Sequence, residues 1–235
     1  RIPVEKKLIE GNILVIGIAD LKRSYCFMFQ KAPLLWKASL VYASVNLFLT
    51  SLVLIGAPVL ITQHLGFNAS TANRLYGYAQ GVVAAGAVAG GLLAGFLSRK
   101  LTARASPFLL AGCALSILAG GIALQMAGNT MTAYIIMVVG FGTLMVLSTL
   151  FQIQLMSCIQ ILTPTDLIGK VISCIICICM CTNPVGQLIY GIVFEHTGTR
   201  VYLPFYRAAF VVIVISLSTS RLFIGIDQLL QRPKG

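Results

Sequence analysis

Six apolar runs alternate with short polar stretches along this chain, at about 38–61, 75–97, 107–126, 131–151, 168–193 and 204–224. A helix rises about 1.5 Å per residue, so some twenty apolar residues cross a hydrocarbon layer about 30 Å thick. The pattern predicts an all-α membrane protein with six transmembrane helices. It also predicts three segments: 1–37 as a polar flank with an interfacial helix around 21–29, 38–226 as the bundle, and 227–235 as a tail. Gly128 and Asn129 are read as a turn, and Thr163, Pro164, Thr165 and Asp166 as a helix start: hydroxyl cap, first-turn proline and an acid at the dipole's positive end.

The second run is the most distinctive. Twelve of its nineteen residues from Gly77 to Gly95 are Gly or Ala, a composition that weakens a soluble helix but lets neighbouring membrane helices approach closely. At about 100° per residue, Gly77, Gly81, Ala84, Gly91 and Gly95 share one face, and Gly86 and Gly90 lie opposite. Such a helix can be gripped on two sides, and replacing Gly91 or Gly95 by Leu is expected to wedge a contact apart. In the fifth run, Pro184 removes a backbone hydrogen bond; with Gly186 it is read as a bend or hinge.

Charge adds orientation. The chain carries 17 Lys and Arg against 6 Asp and Glu. The basic residues punctuate the apolar runs instead of clustering with aromatics, which excludes nucleic acid as a partner. With both ends inside, fourteen basic residues fall on inner segments, including Arg99, Lys100, Arg104 and Lys170, and three (Arg74, Arg200, Arg207) outside. Positive segments stay cytoplasmic. The expectation is a multi-pass protein of the cell membrane with both ends of the chain in the cytoplasm. The chain opens on Arg, without a signal peptide, and is read as beginning inside a larger protein or as having lost its start.

Chemistry is sparse. No Asp or Glu falls within the six runs, so proton coupling has only the loop pair Glu195 and His196 to use, or must lie elsewhere. Polar residues recur four apart at Asn46 and Thr50, Tyr76 and Gln80, and Asn183 and Gln187. These pairs either line a substrate cavity or join helices by hydrogen bonds. Cys174, Cys177 and Cys181 share a helical face, but apolar surroundings resist the deprotonation that ligation needs, and they are read as packing residues. No metal, cofactor or enzyme motif is expected.

Several segments together resemble the C-terminal half of the major facilitator superfamily, closest to bacterial macrolide-efflux exporters. They are Asp20, Leu21 and Lys22 through Lys31 to Leu35, GGLLAGFLSRKL at 90–101, TPTDLIGKVIS at 163–173 and NPVGQLIYGIVFE at 183–195. The resemblance implies half of a twelve-helix fold, a missing N-terminal six-helix half as partner, and runs one, two, four and five lining a central cavity. It implies efflux of amphipathic small molecules across the lipid bilayer by alternating access. Two departures stand out: Arg99 and Lys100 occupy positions where the family carries Asp followed by Arg, and Lys170 replaces an Arg. The competing expectation is a six-helix module or truncated product that binds another membrane subunit without transporting. The membrane half of an ATP-driven exporter is disfavoured by the short loop at 98–106.

Overall fold

The computed structural model describes residues 29, 33–97, 102–126, 128–165, 167–198 and 200–231, of which 229–231 by backbone alone. Among these there is no strand, and six helices are long and apolar enough to cross a membrane. They are α1 (Pro33–His64), α2 (Ala69–Leu97), α3 (Ser106–Met126, entered by a 3-10 turn at Ala103–Ala105), α4 (Thr130–Leu162), α5 (Ile168–Thr197) and α6 (Leu203–Gln231). The chain is an all-α, multi-pass membrane protein. Short connections reverse the chain between successive helices, but of the successive pairs only α3 and α4 pack closely along their length.

Every apolar run became a helix, and most helices outlast their runs. α4 continues eleven residues past Phe151 to Leu162, and α6 reaches Gln231, beyond the expected tail boundary at 227. The reason is physical: a helix ends where its backbone bonds find better partners, not where side-chain hydropathy falls. Asn129, read from the sequence as a turn residue, caps α4, its Oδ1 accepting from Met131 N at 3.0 Å. The expected cap at Thr163 is different: its hydroxyl donates back to Ile159 O at 2.6 Å and closes α4, while α5 starts at Ile168 without a side-chain cap. Asp166 and the expected interfacial helix, apart from Phe29, lie outside the described residues.

α3 packs against α4 and α6, α2 packs against α4, and α1 packs against α5. Two aromatic pairs also tie α4 to α6: Phe141 stacks on Phe205, and Phe151 meets Phe223 edge to face, each at 6.0 Å. α2 reaches α4 through glycine. A Cβ on Gly86 would stand 2.5 Å from Gly142 O, and one on Gly90 would stand 2.7 Å from Val146 O. Only glycine permits that approach, and the dispersion gained along both backbones replaces the hydrophobic drive that lipid does not supply.

Tyr134 of α4 adds a directional tie, its hydroxyl donating to Leu75 O of α2 at 2.7 Å. Tyr134→Phe is expected to lower unfolding free energy by about 0.6 kcal/mol, the usual worth of an interhelical hydrogen bond in a membrane protein. Titration of the purified chain with denaturing detergent reads this change.

α1 is irregular. Two π segments, Asn46–Thr50 and Leu60–His64, interrupt it on either side of Pro58, which sits inside the Ser51–Val59 stretch. A proline lacks the N–H of one ladder bond, and π turns re-route neighbouring carbonyls. Gly56 and Pro58 therefore lie within this helix, which runs on to His64.

Candidate functional site

Two of the predicted polar pairs meet at one crossing. α5 lies across the first π segment of α1 and the stretch after it. At the crossing, Gly186 stands so near α1 that a Cβ would fall 2.6 Å from Leu47 O and onto Ser51 Oγ. Ser51 Oγ in turn donates to Asn183 O at 3.4 Å. Asn46 and Thr50 thus belong to the segment of α1 that faces the Asn183–Gln187 stretch of α5. Asn46 bonds within its own helix, Nδ2 to Tyr42 O at 3.0 Å. Asn183 Oδ1 is buried with no hydrogen-bond partner among the described residues. A buried amide oxygen left unpaired costs about 1–3 kcal/mol, so it marks a place where a ligand, water or ion gains by binding.

Tyr76 and Gln80 are held by one another, Gln80 Nε2 donating to the Tyr76 hydroxyl at 2.8 Å on α2. The glycines divide by face. Gly86 and Gly90 are packed on α4, whereas Gly77, Gly81, Gly91 and Gly95 have no atom of a neighbouring helix within 4 Å of a Cβ. Among the described residues, none of the other helices packs on α2 at Gly77, Gly81 or Gly91. Pro184 lies inside a continuous α5.

One groove with polar walls was not among the sequence candidates. A groove of about 380 Å³ opens between α1 and α4, lined by Tyr42, Thr149, Gln152, Ile153, Met156, Ser157 and Gln160. From its polarity, the stretch 152–160 reads as the chain leaving the membrane. In the structure it is helix, and its spacing of three and four turns one polar face into the groove while Phe151, Gln154, Leu155, Cys158 and Ile159 are buried. Gln152 Nε2 donates to Ser148 Oγ at 3.0 Å. That i, i+3, i+4 stripe of amides and hydroxyls was the available signal.

One further site sits where the α2–α3 connection meets α6. Asp227 is buried, with 4% exposure, and its carboxylate accepts from Arg104 Nε at 2.7 Å. Gln154 of α4 donates to Thr102 O of the same connection, and Ser216 of α6 donates to Pro107 O at 2.8 Å. The apolar runs hold no acid, but the helices outlast them, so that Asp227 falls inside α6 and Glu195 inside the last turn of α5. Asp227 escapes a hydropathy reading because it stands near the helix end. Arg99 and Lys100 lie outside the described residues, and Lys170 is half-buried in the first turn of α5.

Glu195 and His196 are exposed at the end of α5, His196 Nδ1 lying 2.9 Å from Ile192 O of its own helix. Cys174 and Cys179 are buried and Cys177 and Cys181 exposed. Among the described residues no group of three or more His, Cys, Asp or Glu is placed to hold a metal ion.

No protein-family model, no characterised protein and no solved structure matches this chain.

Proposed function

We propose that this chain is one six-helix half of a secondary transporter of the major facilitator type, exporting amphipathic small molecules across the cell membrane by rocking against a second six-helix unit. The observation that carries this reading is the unequal covering of the helices. Half of the most apolar window of α4 is buried, but only 17% of that of α2 and 22% of that of α5. On α2 the uncovered surface sets glycines such as Gly77 and Gly81 among exposed Val88, Leu92 and Phe96, apolar side chains beside gaps that a facing helix can enter. The groove between α1 and α4 is likewise open and polar, and polar side chains are stable at membrane depth where they line a water-filled or ligand-filled space. The second unit closes that space, and both ends of the chain face the cytoplasm by the fourteen-to-three distribution of basic residues.

In this mechanism the crossing at Gly186 and Ser51 and the irregular α1 accommodate the change of angle, while the α2–α4 contact moves as one body. Gly91→Leu and Gly95→Leu are expected to reduce efflux from cells at least tenfold while membrane insertion and the stability of this bundle stay as before. Efflux of a panel of amphipathic compounds, with protein level and unfolding measured in parallel, checks it. Unaltered efflux in both variants would remove the close contact, and an absence of any efflux would leave a scaffold that binds another membrane subunit.

A further inference from the structure

We infer that the groove between α1 and α4 is a binding site for uncharged small molecules that both donate and accept hydrogen bonds, and that it discriminates against organic cations. The inference narrows the transporter reading and rests on it for its purpose; the geometry stands independently.

The walls carry the argument. α4 has no charged residue from Thr130 to Leu162. α1 has no acid from Pro33 to His64, and its one lysine, Lys37, is five positions before Tyr42. The acids among the described residues are elsewhere: Glu195 at the end of α5, and Asp227 already engaged by Arg104. A cation moved from water into a low-dielectric groove loses several kcal/mol of hydration and recovers it only beside an anion or a full set of acceptors. The ring of Tyr42 offers at most a cation–π contact of about 1–2 kcal/mol. Among the described residues, the charged side chain nearest Tyr42 along α1 is Lys37, which is positive and lines a different groove, with Ser218 and Arg221.

The groove does offer neutral bonding capacity. Gln152 commits one N–H to Ser148 and keeps its carbonyl oxygen and second N–H. Among the described residues no partner engages the side chains of Tyr42, Ser157 or Gln160. Each of these four groups can both donate and accept. Ile153 and Met156 supply an apolar strip beside them, with Met the more adaptable of the two. A volume of about 380 Å³ lies within the range of small-molecule sites. Amide, hydroxyl and carbonyl groups on a compact apolar frame match that lining.

The test is equilibrium binding to the purified chain in phosphatidylcholine nanodiscs. Two uncharged probes, chloramphenicol and prednisolone, are compared with the permanent cation tetraphenylphosphonium. Saturable binding of at least one uncharged probe is expected, weakened about tenfold by Gln152→Leu and by Gln160→Leu. No saturable binding of the cation is expected until Gln160→Glu places a carboxylate at the exposed edge of the groove. Tyr134→Phe, remote from the groove, serves as the variant with unchanged binding. Saturable cation binding to the unaltered chain, uncharged-probe binding indifferent to both leucine variants, or no binding of either uncharged probe would each overturn the inference. Binding without efflux would remove the transporter reading and keep the ligand class; Gln152-dependent efflux of the cation would do the reverse.

Discussion

Gly90→Val is expected to unfold at markedly lower denaturant than the unaltered chain, and Gly91→Val, one position along, to unfold with it. The two residues are neighbours in sequence and of one type, so propensity and lipid solubility change equally in both. What differs is what a side chain meets. At Gly90 the first carbon would stand 2.7 Å from Val146 O and 2.9 Å from Thr149 Cβ, and at Gly86 2.5 Å from Gly142 O. Backbone oxygen cannot rotate aside as a side chain can, so α2 must move off α4. Overpacking a filled interior costs about 1–3 kcal/mol where side chains can adjust, and separation of two backbones belongs at or above the top of that range. Gly86→Val should behave like Gly90→Val. At Gly91 the same carbon meets nothing within 4 Å. Equal loss in the Gly90 and Gly91 variants would show that the contact with α4 does not distinguish them.

Removal of Arg104 should be worse than removal of the acid it serves. Arg104→Ala takes from the buried Asp227 carboxylate of α6 its 2.7 Å contact with Arg104, and breaking a buried ion pair from one side costs about 3–5 kcal/mol when both groups are enclosed. Here the Arg104 side chain is 57% exposed, so water screens the pair and about 2–3 kcal/mol is the expected loss. Asp227→Asn takes the charge away from the buried side and leaves the arginine in contact with solvent, at an expected cost of about 1 kcal/mol. The double variant should then be more stable than Arg104→Ala alone. Unfolding titrations of the three proteins decide it; a double variant that is the least stable of the three would mean that the pair is not what holds the connection between α2 and α3 to α6.

The two cases differ in how visible they were. The opposed faces of α2 follow from counting at 100° per residue, because glycine is informative wherever backbones meet, and Gly86 and Gly90 fall opposite Gly77 and Gly81 on any helical wheel. Likewise the six crossings and the Asn129 cap are written in local chemistry. Asp227 is not: whether a carboxylate near a helix end hangs in water or turns inward depends on a residue 123 positions earlier, Arg104, and on where α6 lies. The stretch 152–160 was ambiguous for a related reason. Its amides and hydroxyls lower hydropathy as a departing chain would, and only the position of Tyr42 on α1 shows that they border a groove. Asn183 and Asn46 were visible as polar residues in apolar runs, but the choice between joining helices and receiving a ligand rests on the unpaired Oδ1, which no spacing rule contains.

The two π segments of α1 carry a consequence for how that helix should be drawn. A π turn holds one residue more than the α-helical turn it replaces, so each one advances the phase of everything after it by about 100°. Asn46–Thr50 therefore divides α1 into two lengths with separate angular origins, Pro33–Val45 and Ser51–Val59, and Leu60–His64 closes the second. Tyr42 looks toward α4 by the first, Gly56 toward Phe194 of α5 by the second, and a single helical net laid over all thirty-two residues would put one of them on the wrong flank.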